Sequence, residues 1–299
     1  MAKLFMIFLV LIVASSSFMV GQATHRSDFA SYGLFRQYST LRDIEIGIAN
    51  ATRIAYRAAM HVNDNETATI DSNMEMLLTQ RGEVLAHFAD LQGSLGELEH
   101  NVLHYFDYYL EAIFAMTHAG NRDAILELAG RAMDFEARIT GLLDDLIAEA
   151  RPDMSIAKVA EIFERYSILR DMEMELMRIR ALVNLEVISL DEEIQVRWLG
   201  HWAALDTHFS AFMQTLIDDE NMSDVDRWFM NHGVALQDAA TVYLNHYVVS
   251  IIEAAYDGDM DMVIFRLQMS FNMLMEVYDY LDMLLDFTYS IIEAILLGH

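Results

Sequence analysis

The 299-residue chain contains no cysteine, which excludes disulfides, thiol nucleophiles, iron–sulfur clusters, Cys-type zinc sites and covalently attached haem. Proline occurs once, at Pro152, and there are only 13 glycines. So few breakers in a chain that is 54% apolar describe a folded, strongly helical protein and not a disordered one. No window alternates apolar and polar residues as a half-buried strand would. Basic residues are also scarce: 19 against 46 acidic ones, a net charge of −27, with Lys3 and Lys158 as the only lysines. Such a surface repels phosphate, so neither nucleic acid nor an anionic membrane surface is an expected partner. Cations remain open, as do small ligands held in a locally basic pocket. The bias toward arginine suits pairing between helices, because its fork matches a carboxylate while its stem covers apolar surface.

What the chain does contain is an echo of itself. Tyr38-Ser39-Thr40-Leu41-Arg42-Asp43-Ile44-Glu45 returns 128 residues later as Tyr166-Ser167-Ile168-Leu169-Arg170-Asp171-Met172-Glu173. His87-Phe88 is answered by His208-Phe209. At an offset of 138, Leu98, Tyr105, Tyr109, Ile113, Gly120, Asp123 and Leu143 are answered by Leu236, Tyr243, Tyr247, Ile251, Gly258, Asp261 and Leu281. The order is kept and the offset changes only between blocks, where helix connections tolerate insertion. The sequence reads as a tandem duplication of a unit of roughly 125 residues.

Apolar spacing within the unit is helical throughout. In the first copy it predicts helices over Ser27–Val62 and about Glu66–Leu91, a third that stops near Gly120, and a fourth from Asn121 to before Pro152. In the second copy it predicts Ser155 to about Ile188, Leu190–Ile217, Ser223–Asp257 and Asp259–Leu297. Asn121 and Ser223 are favoured caps, and Gly120 is a favoured stop. The expected fold is all-α: two tandem up-down four-helix bundles, residues 25–151 and 152–299, behind an N-terminal apolar helix. Residues 1–24 carry Lys3 and an apolar run from Leu4, and read equally as a signal peptide with a small-x-small site at Gly21-Gln22-Ala23 or as an uncleaved membrane anchor over 4–20. Either places the remainder outside the cytoplasm, in the periplasm or at the cell surface. The last apolar segment, Leu284–Leu297, carries Asp286 and Glu293 and is not read as a span.

Glu97-x-x-His100, with His104 a turn further on, has the spacing of a carboxylate-bridged metal bundle, but the second copy has Ala235 and Asp238 in its place, so the reading is structural. Met260, Met262, Met269, Met273, Met275 and Met283 suit a helix core better than a soft-metal site. Tyr105/Tyr109 and Tyr243/Tyr247 each share a helix face and fit packing or ligand stacking. Arg42 and Arg170, with Tyr38 and Tyr166 beside them, are the candidate ligand-binding residues. Each arginine can hold a carboxylate ligand in two-pronged fashion, or pair with an acidic residue of a neighbouring helix or with Glu45 and Glu173. No metal, cofactor or catalytic constellation is implied, and no enzymatic activity is expected.

The apolar N-terminus behind a lysine, the Tyr-x-x-Leu-Arg-x-x-Glu helix and the Val62-Asn63-Asp64-Asn65 break before a second amphipathic helix resemble the extracytoplasmic sensor region of bacterial methyl-accepting chemotaxis receptors, of the four-helix-bundle and helical-bimodular kinds. The resemblance implies capture of a small molecule, an organic acid or an amino acid, between helices through arginine, in a homodimer or larger homo-oligomer. The alternatives are a structural protein that assembles through apolar faces into oligomers or filaments and, more weakly, a metal-binding bundle.

Overall fold

The computed structural model describes residues 25–62, 67–91, 95–151, 157–217 and 223–297; the expected apolar N-terminal helix lies outside them. Among the described residues there are eight helices and no strand. They are α1 (His25–Ala59), α2 (Thr67–Asp90), α4 (Arg122–Ala150), α5 (Ala157–Ser189), α6 (Glu192–Ile217) and α8 (Met260–Leu297), with two interrupted helices between. Helix α3 runs over Gly96–Tyr105, passes through a π-helical segment Phe106–Leu110 and resumes as Glu111–His118. Helix α7 does the same over Asp224–Val242, Tyr243–Val248 and Val249–Tyr256.

Local chemistry sets the boundaries. The side chains of Asn121 and Ser223 accept the backbone N–H of Ala124 and Asp226, satisfying donors that the first turns of α4 and α7 leave open. Helix α3 closes on Gly120 at φ 66°, with the N–H of Asn121 reaching the carbonyl of Met116 and that of Gly120 reaching Thr117. Helix α7 closes identically on Gly258 at φ 75°, with Asp259 to Ala254 and Gly258 to Ala255. This pairing of crossed bonds needs a left-handed residue, which glycine supplies without a Cβ clash. Helix α5 has no such glycine: Leu190 takes φ 53° before Asp191 caps α6 through the N–H of Glu193.

Helix α1 packs on α2, α3 and α4, and α5 packs on α6, α7 and α8. Helices α1 and α5 also pack on each other, and one continuous apolar core runs from Phe35 and Tyr38 through Phe163 and Tyr166 to Phe287 and Ile291. Gly47 permits the close approach of α2, since a Cβ there would lie 2.5 Å from Val84.

The repeated block lies at the α1–α5 contact, where the two copies exchange hydrogen bonds reciprocally. The Tyr38 hydroxyl meets Ser167 at 2.8 Å and the Tyr166 hydroxyl meets Ser39 at 2.9 Å. Arg42 pairs with Asp171 at 2.6 Å, and Arg170 pairs with Asp43. Each arginine also holds the buried glutamate one turn on, Glu45 at 2.9 Å and Glu173 at 2.8 Å. The arrangement is that of a two-fold interface in which a surface patch is complementary to its own copy, here within one chain.

Candidate functional site

Arg42, Arg170, Tyr38 and Tyr166 are thus brought together, and every one is engaged across the α1–α5 seam. Arg42 and Arg178 also line a cavity of about 280 Å³, but four carboxylates, Glu45, Asp144, Asp171 and Glu175, share it and outnumber the two arginines, which opposes an anionic guest. The acid-rich composition accounts for this: the repeated arginines meet the carboxylates that surround them.

A different set of arginines is not so matched. Arg53 and Arg57, two turns beyond the seam on α1, and Arg180 on α5 line a cavity of about 570 Å³ walled by α7 and α8. Tyr243, Asn184, Gln268, His61, Thr69 and Ser270 supply its other polar groups, and Ile264, Leu274 and Phe271 are part of its apolar wall. No acidic residue is among the described residues that line it, and among the described residues none of the three arginines has a carboxylate within ion-pair distance. Arg53 is only 7% exposed. Its guanidinium donates from Nε at 2.9 Å and Nη2 at 2.7 Å to the Asn50 carbonyl, and the Asn50 amide donates in turn to Gln80 at 2.5 Å. Asn50 therefore orients Arg53 without neutralising it. Arg180 donates to the Tyr278 hydroxyl at 3.2 Å, and its ring contact with Tyr278 puts the guanidinium 5.5 Å from the centroid.

Burial, then the neighbouring guanidinium groups of Arg180 and Arg57, push Arg53 down to about 9. Arg57 is lowered by burial and by Arg180. A value near 9 leaves Arg53 cationic at neutral pH, so the cavity holds like charges in a chain whose net charge is −27. An isolated buried charge is costly unless something pairs with it.

Sequence reasoning passed over these three residues because they fall outside the matched blocks. The signal lay in the mismatches: at the offset that aligns the seam, Thr52 corresponds to Arg180 and Arg53 to Ala181, and at the later offset Glu136 corresponds to Leu274. The copies keep their packing residues and differ in charge around Tyr105 and Tyr243. Both tyrosines are buried; Tyr105 immediately precedes the π-helical segment of its helix and Tyr243 opens that of the other, a feature that recurs at functional sites.

Glu97 and His100 lie on the exposed face of α3, and His104 stacks on Tyr108 with ring centroids 4.3 Å apart. Among the described residues no group of three or more His, Asp or Glu side chains converges as a metal would require. No described helix is long and apolar enough to cross a membrane. Comparison of the chain with protein-family models, curated protein sequences and solved structures finds no match.

Proposed function

We propose that this protein is a non-enzymatic binder of small organic anions, carboxylates above all, and that the anion sits between Arg53, Arg57 and Arg180. The observation that carries the reading is the convergence of three guanidinium groups with no carboxylate partner among the described residues, in a cavity of about 570 Å³, a volume suited to a small molecule. Guanidinium forks match carboxylate geometry, and the apolar wall of Ile264, Leu274 and Phe271 suits a carbon skeleton. The architecture proposed with it is two tandem up-down bundles, residues 25–151 and 152–299, meeting along α1 and α5. Because Arg53 is on α1 and Arg180 on α5, an anion gripped by both draws the two helices together. A small shear of that kind is how a sensor reports occupancy, which agrees with the resemblance to chemotaxis-receptor sensor regions and with a location outside the cytoplasm.

The test is calorimetric titration and thermal melting of the full chain with acetate, succinate, benzoate and citrate. The expected result is a rise in melting temperature for one acid class, lost by about tenfold or more in affinity in Arg53→Gln and Arg180→Gln. Equal affinity in both variants, or no shift with any acid, removes the reading.

One observation favours the assembly alternative. Met262, Phe265 and Met269 recur at i, i+3 and i+7 on α8 and are all exposed, Phe265 at 56%. A second copy covering this stripe would form the homodimer. Light scattering of the full chain and of Phe265→Glu decides it, a monomer in both cases being the adverse outcome.

A further inference from the structure

The equivalent place in the first copy holds a second cavity, of about 650 Å³, between α1, α4, α5 and α6. Its lining is mixed, with Glu136 and Asp144 beside Arg178, Arg197 and His201. Glu136 on α4 replaces the leucine of the second copy and points its Oε2 at the Tyr105 hydroxyl, 2.8 Å away, and at the Thr52 hydroxyl, 3.0 Å away. Thr52 and Tyr105 lie 2.8 Å from each other, so the carboxylate is clasped from one side by two hydroxyls. Oε1 has no hydrogen-bond partner among the described residues, and no cation pairs with Glu136. The three cationic groups that line the cavity each pair with a carboxylate other than Glu136: Arg178 with Glu45 and Glu175, His201 with Glu175, and Arg197 with Glu193. Asp144 adds a further negative charge to the lining, and Tyr56, Ala181, Leu182 and Val196 supply apolar surface.

We infer that this cavity is a binding site for an organic amine, its ammonium group donating to Glu136 Oε1 and its apolar body lying against Leu182 and Val196. A fixed carboxylate with one oxygen satisfied and one open is a cation acceptor, and two hydroxyl donors keep it oriented before the ligand arrives. The cavity volume falls in the range of small-molecule sites. The inference does not rest on the anion-binding reading, since the two cavities share no lining residue and only this one is lined by carboxylates. Their positions relate them as the diverged copies of one duplicated site.

The experiment titrates the full chain with 2-phenylethylamine and with 2-phenylethanol, its neutral counterpart, by calorimetry and thermal melting. The amine is expected to bind and raise the melting temperature, and the alcohol to bind at least about tenfold more weakly, because a hydrogen bond to a charged group is lost. Glu136→Gln, which keeps an oxygen for Tyr105 and Thr52, is expected to reduce amine affinity by a similar factor, while Arg180→Gln leaves it unchanged. Ala137→Phe keeps the carboxylate and fills the cavity, so it is expected to abolish binding and covers the case of an unfolded Glu136 variant. Equal binding of amine and alcohol, undiminished amine affinity in Glu136→Gln or Ala137→Phe, or no amine binding at all overturns the inference. Loss of benzoate binding in Arg180→Gln with amine binding retained separates this site from the anionic one.

Discussion

Two arginine environments divide the side chains of this protein. Arg42 is 11% exposed and bridges Asp171 and Glu45, so Arg42→Ala strips Asp171 and the Tyr38 hydroxyl of this donor and leaves Glu45 with Arg178 alone. The expected loss is about 3 kcal/mol of unfolding free energy in urea denaturation, the cost of breaking a largely buried pair. Asp171→Ala in the same background is expected to add less than its own single effect, because the partners are coupled. Neither change is expected to alter benzoate affinity. Arg53 reverses the sign. It is buried beside other guanidinium groups and has no counter-charge among the described residues, so Arg53→Met is expected to raise the stability of the ligand-free chain by roughly 1–3 kcal/mol while removing anion binding. A melting temperature that falls in Arg53→Met counts against an uncompensated charge. The importance of Arg42 and Arg170 was legible in the repeated block, and pairing with Glu45 and Glu173 or with an acid of a neighbouring helix was one of the two roles it allowed, but which helix supplies that acid was not. Each finds its acid on the other copy, and only the packing of α1 on α5 brings them within reach. Arg53, Arg57 and Arg180 left no positive trace, because a site that differs between copies is invisible to a search for what they share.

At the level of elements, caps and stops were readable where the physics is local. Asn121, Ser223, Gly120 and Gly258 mark helix ends by side-chain acceptors and by tolerance of left-handed backbone, properties that belong to single residues. The π-helical segments after Tyr105 and from Tyr243 were not readable, because one extra residue per turn is a register shift enforced by packing on neighbouring helices and leaves apolar spacing nearly intact. Leu190 separates the two kinds of information. It ends α5 at φ 53°, where a leucine Cβ is strained and glycine is not. Leu190→Gly is therefore expected to raise stability by about 1 kcal/mol, and Gly120→Ala and Gly258→Ala to lower it by about 1 kcal/mol each. Chemical denaturation of the three variants checks both signs in one experiment. Leu190→Gly destabilised as much as the glycine substitutions would show that contacts of the leucine, 40% exposed, outweigh its backbone strain.

For the whole molecule the decisive quantity is the charge of −27 and where it is buried. Burial holds Glu45, Glu136 and Glu173 above the ordinary glutamate value, against the pull of Arg42 and Arg178 on Glu45, of Tyr105 and Thr52 on Glu136, and of Arg170 on Glu173. The folded chain thus binds these protons more tightly than the unfolded chain, whose glutamates titrate at about 4.3. Their contribution to stability is fully present below that value and is lost as pH rises through the raised folded values. Asp226 acts in the opposite sense, held low by Ser223 and Arg165 against the effect of burial, and its contribution is lost only as pH falls through its depressed value. Repulsion among the remaining surface carboxylates also grows with pH. The melting temperature is therefore expected to peak on the acid side of neutrality, at about pH 5, and to fall toward pH 8. Glu136→Gln is expected to flatten that fall, and 1 M NaCl to recover part of it at pH 8 by screening the surface repulsion while leaving the buried contribution in place. A melting temperature that climbs between pH 5 and pH 8 would mean that the Arg42–Glu45 and Arg170–Glu173 pairs outweigh burial, and that the seam and not the net charge governs the stability of the chain.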